Sequence, residues 1–167
     1  MTSSSELAAV LRDVKGFRGV FASDTLPDTL RRGESVVVNY DPADRSGSHW
    51  VAMLHAKDGS GLYFDSFGQE PDMEDGILGD RTHFRAWLSQ HTSKPLRWNH
   101  TDLQSLYSNT CGEWAAAFVL IGALPQDRAA AKYWRPLQRG SAFARDARIK
   151  QLLGLRGFTR QPASRLP

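Results

Sequence analysis

The run CGEWAAAFVLIGAL, residues 111–124, is apolar on nearly every helical face. A helix of that kind has to be buried all round, so the rest of the chain must be arranged to cover it, and Pro125 closes it. Its first residue, Cys111, is the only cysteine of the chain. The cap-type residues Ser108, Asn109 and Thr110 come just before, which sets the thiol in the first helical turn.

The other segments supply the covering. SELAAVLRDVKG reads as an amphipathic helix with Leu7, Val10 and Leu11 on one face and Gly16 as its stop. ESVVVNYD is a β-branched run ahead of Asp-Pro and reads as a buried strand. HWVAMLHA, the turn KDGSG and LYFDSFG read as a β-hairpin. QEPDMEDGILGD, acidic and punctuated by Gly and Pro, is a loop. RTHFRAWLSQH is a helix with Phe84, Trp87 and Leu88 on one side, and PLRWNH a further strand. Residues 127–135 and 141–153 read as helical, and FTRQPASRLP is frayed. No repeat or linker divides the 167 residues. The expectation is one α+β domain, residues 1–167, with a central sheet and one helix packed through its middle.

Composition narrows the function. One cysteine excludes an internal disulfide and a cysteine-rich metal site, so no metal is expected. No apolar run approaches about 18–20 residues, so no membrane span is expected, and the first residues lack a signal-peptide layout. Residues 1–127 carry 11 basic and 17 acidic side chains, whereas residues 128–167 carry 10 basic ones against Asp146 alone. A basic segment on an acidic body suggests a polyanion partner, and a merely solvated tail is the plainer alternative.

A thiol acts as a nucleophile in its thiolate form, which a helix N-terminus or a neighbouring imidazolium favours. Gly112 leaves room for a substrate backbone, and the first N–H groups of the helix can donate to a developing oxyanion. A buried cysteine packed as a small hydrophobe is the alternative, and the histidines decide between the two. His49, in SGSHWVAM, sits at the mouth of a strand, accessible yet anchored, with Ser48 before it and Trp50 after it. Trp50 is either a groove wall shielding the imidazole or a core tryptophan. His55 lies at the far end of the same strand, and His83, His91 and His100 read as surface residues. Asp65 ends the second strand of the hairpin, which antiparallel pairing brings beside His49, whereas Asp58, Asp72 and Asp75 read as solvated loop charges. Gln104 lies seven residues before Cys111, where its amide can complete an oxyanion hole.

GSHWVAM, LYFDSFG and LQSLYSNTCGEWAAAF, in this order and with 16 positions from His49 to Asp65, resemble the adenovirus-type maturation proteases, the adenain family. GVFASDTLP is similar to that family's N-terminal segment, and the likeness covers residues 5–124. The resemblance implies a mixed-sheet thiol-protease fold shared with SUMO-deconjugating proteases. It implies Cys111 as nucleophile, His49 as general base and acid, Asp65 as orienting carboxylate and Gln104 as oxyanion donor, with Trp50, Gly112 and Ser48 at a narrow substrate groove. It further implies a monomeric endopeptidase, in the virion or in the host nucleus or cytoplasm, that cuts viral precursor proteins after Gly-x-Gly-type motifs. An activating peptide and DNA are implied as cofactors, the peptide without a disulfide because no second cysteine exists. The DNA contacts expected are Arg135, Arg139, Arg145 and Arg148. An isopeptidase for a ubiquitin-like modifier and a non-catalytic DNA-binding virion component are the alternatives.

Overall fold

The structure is a computed structural model and describes residues 2–72, 83–123 and 134–154. Its centre is a five-stranded sheet in the order β1 (Phe17–Phe21), β2 (Ser35–Asn39), β3 (Trp50–His55), β4 (Ser60–Phe64) and β5 (Lys94–Trp98). The edge pairs β1–β2 and β4–β5 are parallel, and β3 runs antiparallel to both its neighbours, so the sheet is mixed. The KDGSG turn closes the expected hairpin, with Ala52 opposite Phe64 and His55 opposite Gly61.

Every residue of β2 and β3 is buried. Both faces of the sheet are covered, which is why these strands read as continuous apolar runs and not as alternating ones. On one side Val36, Val38, Val51, Met53 and Tyr63 pack with Phe84 and Leu88 of α2 (Phe84–His91). On the other, Val37, Ala52 and Phe64 pack with the helix the sequence requires to be enclosed, α3 (Cys111–Gly122). Trp114, Ala115, Ala116 and Ala117 have no exposed surface. Leu7 and Leu11 of α1 (Ser4–Leu11), Leu137 of the short α4 (Arg135–Leu137) and Ile149 and Leu153 of α5 (Ala142–Gly154) complete the cover. The helix therefore lies across the face of the central strands and not through the sheet.

Helix α1 opens on a capping box. Ser3 Oγ accepts from the Glu6 N–H at 3.2 Å, and the Glu6 carboxylate accepts from the Ser3 N–H at 2.8 Å. It stops at Leu11, short of Gly16, and two reverse turns, Val14 N–H to Leu11 O and Phe17 N–H to Val14 O, lead into β1. Gly16 has φ +84°, and a Cβ there would sit 2.2 Å from the Gly33 carbonyl oxygen. Its role is a close chain crossing, which only glycine allows. Asp75, Pro125, most of the acidic loop, residues 127–133 and FTRQPASRLP fall outside the described residues. Among the described residues no helix is long and apolar enough to cross a membrane.

Candidate active site

His49 immediately precedes β3 and Asp65 immediately follows β4. Continuing the antiparallel register three residues beyond the Ala52–Phe64 pair sets His49 across from Phe67, with Asp65 diagonal to it. The side chains follow that placement. His49 Nε2 lies 3.1 Å from Asp65 Oδ1, and the His49 ring stacks on Phe67 at 5.2 Å between centroids. Tyr40 flanks the same ring at 5.5 Å. Burial, then the Asp65 charge, push the Tyr40 phenol above its ordinary range, so it stays neutral and shares a 2.7 Å hydrogen bond with Tyr63.

With Nε2 given to Asp65, Cys111 is the second neighbour that acts on the His49 ring. Carboxylate, imidazole and thiol are thus gathered at one place, from a hairpin and from a helix start more than 60 positions after His49 along the chain. Burial works to lower the His49 pKa. The hydrogen bonds to Asp65 and Cys111, with the charges of both, overcome it and raise the value to about 9. At neutral pH the ring therefore carries its proton, and a cation beside the sulfur is what a thiolate nucleophile requires. The expected accessibility of His49 does not hold: the hairpin end is roofed by Tyr40 and Phe67, and only 7 % of His49 is exposed.

Asp65 is wholly buried, and its side-chain hydrogen bonds all fall on Oδ1, while Oδ2 is buried without a partner. Its Oδ1 also accepts from the Phe67 N–H at 2.7 Å. Its backbone is gripped by Asn99 at the end of β5, whose Oδ1 accepts from the Asp65 N–H at 3.0 Å and whose Nδ2 donates to the Asp65 carbonyl at 2.5 Å. The turn after it needs Gly68, at φ +72°, which donates its N–H back to the Asp65 carbonyl. Asn99 was not singled out from the sequence, where nothing distinguishes it from ordinary loop polarity. The parallel pairing of β5 with β4, which aligns the two strand ends, is what makes it a partner of Asp65.

Gln104 reaches the loop that leads into Cys111. Its Oε1 accepts from Ser66 Oγ at 2.7 Å, and its Nε2 donates to the Ser108 carbonyl at 2.9 Å. These bonds fix the amide plane and use one of its two N–H hydrogens. Cys111 opens α3, but Thr110 makes no side-chain cap. The first-turn N–H groups therefore keep no capping partner from Thr110.

The flanking residues fall differently from expectation. Trp50 is buried and donates its Nε1–H to the Thr2 carbonyl at 2.9 Å. Thr2 in turn donates its hydroxyl to Glu113 at 2.8 Å. Gly112 is small because this segment passes over it: a Cβ would lie 2.9 Å from the Thr2 Cβ and 3.2 Å from the Trp50 ring. The room beside Gly112 is thus occupied by the chain itself. Ser48 keeps its N–H on Asn39 Oδ1 at 3.2 Å, while its hydroxyl is buried without a partner. A cavity of about 530 Å³ opens next to this strap, lined by Thr2, Ser3, Phe21, Asp41, Gly47 and Trp50 among others.

Of the four arginines, Arg135 and Arg139 are exposed. Arg145 and Arg148 spend donors on backbone carbonyls of their own fold, Arg145 on Asp102, Leu103 and Gly140, Arg148 on Pro136 and Arg139. His55, at the far end of β3, is buried with Nδ1 against the Leu30 carbonyl at 2.9 Å. Among the described residues no cluster of three or more His, Cys, Asp or Glu is placed to hold a metal ion. No family model matches the chain, and no curated protein matches it.

Proposed function

We propose that the chain is a cysteine endopeptidase that works through Cys111, His49 and Asp65, with Gln104 as an oxyanion donor. The observation that carries this reading is the buried His49–Asp65 pair at 3.1 Å, whose imidazole is raised to a pKa of about 9 by Asp65 and by the thiol that opens a buried helix. Cys111 attacks the scissile carbonyl, and the oxyanion is received by the Gln104 amide N–H and the N–H groups of the first α3 turn. His49 then protonates the leaving amine, which leaves the acyl-enzyme, and afterwards takes a proton from the water that hydrolyses the thioester. Asp65 holds the ring in place throughout.

The narrower reading, maturation of viral structural precursors by cleavage after Gly-x-Gly-type motifs, rests on the sequence resemblance to the adenain family. DNA contact through Arg135 and Arg139 belongs to the same reading.

Peptides spanning Gly-x-Gly junctions, incubated with wild type and with Cys111→Ala, test the proposal. Cleavage by wild type and none by the variant is expected, with iodoacetamide labelling lost as well, since no other cysteine exists. Gln104→Ala should lower kcat by about 10²–10³. A wild-type protein that cuts none of these peptides, yet is folded by near-UV circular dichroism, would sink the reading. Cleavage confined to fusions of a folded ubiquitin-like modifier would turn it into the isopeptidase one.

A further inference from the structure

The strongest network outside the His49–Asp65 pair belongs to α5, in the basic part of the chain that the family resemblance does not reach. Asp146 is 5 % exposed and accepts three hydrogen bonds. Its Oδ1 accepts from the Thr110 hydroxyl at 2.8 Å and from Trp114 Nε1 at 2.9 Å, and its Oδ2 from the Ser105 N–H at 3.0 Å. The residue before it, Arg145, donates to the carbonyls of Leu103 at 2.9 Å and Asp102 at 3.0 Å. Gln104 lies between Leu103 and Ser105, and Cys111 between Thr110 and Trp114. Two adjacent residues of one helix therefore grip both ends of the segment that carries the nucleophile and its oxyanion donor.

The bond to Thr110 has a particular effect. A threonine before a helix ordinarily turns its hydroxyl inward to accept from an N–H of the first turn, from an extended backbone. Thr110 instead has φ −93° and ψ 13° and makes no such cap; its hydroxyl is turned to Asp146, to which it donates, and lies 3.0 Å from Ser108 Oγ. The N–H groups that a cap would occupy are left for another acceptor. We propose that Asp146 is a positioning residue of the thiol centre: by holding the Thr110 hydroxyl and the Ser105 amide, it keeps the first turn of α3 uncapped and sets it beside the Gln104 amide as a preformed pair of oxyanion donors. This inference rests on the endopeptidase reading above.

Thr110→Val removes the hydroxyl with little change of shape, Thr110→Ser retains it, and Asp146→Asn sets an amide N–H against the Ser105 N–H. Peptide hydrolysis passes through a tetrahedral oxyanion, whereas alkylation of sulfur by iodoacetamide does not. Thr110→Val and Asp146→Asn should therefore lower kcat at least tenfold, with KM and the alkylation rate within about twofold of wild type. Thr110→Ser should restore kcat. Unchanged kcat in folded Thr110→Val, even with a lowered Tm, would make Asp146 merely structural and overturn the proposal. Equal losses in kcat and alkylation would overturn it too, by placing the effect on sulfur. Those outcomes leave the endopeptidase reading standing, whereas a wild type without hydrolysis removes both. If Asp146→Asn does not fold, the Thr110 pair alone decides.

Discussion

At the scale of single residues, the informative group is His49. A buried imidazole would by itself prefer to be neutral, and here two anionic or hydrogen-bonding neighbours reverse that preference. An NMR titration of the His49 ring should give a midpoint near 9. In Asp65→Asn that midpoint should fall well below 9, since one of the two groups holding the proton has become neutral; a midpoint unmoved by the substitution would assign the shift to Cys111 alone. The sequence exposed the residue types of this site and their order, because a β-hairpin fixes which strand ends meet. It did not expose Asn99, Ser66, Thr2 or Asp146. Each of these acts on a partner more than 30 positions away, and no local pattern marks a polar residue whose partner is chosen by the packing of distant elements.

At the scale of elements, α3 determines the rest. Three consecutive alanines without exposed surface let the helix pack closely against the sheet, α1 and α5 at once. Ala116→Leu adds volume where no neighbour can yield and should lower unfolding free energy by about 1–3 kcal/mol, read as a reduced midpoint in urea denaturation. A change below about 0.5 kcal/mol would mean that slack exists around α3. This burial was legible from the local order of residues, and so were β2, the hairpin, β5 and α2. The boundaries were less so. Gly16 read as a helix stop, yet α1 ends five residues earlier at Leu11, and the glycine serves the crossing with Gly33. Local sequence marks a residue able to take positive φ but does not say which turn or contact will require it. The proximity of Gly112 to Thr2 was equally hidden, since the space beside a glycine is set by what packs there.

For the molecule as a whole, the His49 proton is linked to stability. The folded state raises this pKa from the 6.5 of a free imidazole to about 9, so folding is favoured by proton binding at this group. The contribution is fully present below about pH 6.5 and is lost as pH rises through about 9. Between pH 7 and 10 wild type should lose more Tm than His49→Gln, which has no such proton to release. Parallel losses in the two proteins would place the linkage elsewhere.

The order of the chain matters in a further way. The cover of α3 includes Ile149 and Leu153, and Thr110 finds its partner 36 residues downstream. During synthesis the sheet, the imidazole and the sulfur all leave the ribosome before the last wall of their enclosure exists. A nascent polypeptide stalled ahead of residue 146 would hold His49, Asp65 and Cys111 and still lack the partner of the Thr110 hydroxyl and the apolar side chains that close over α3.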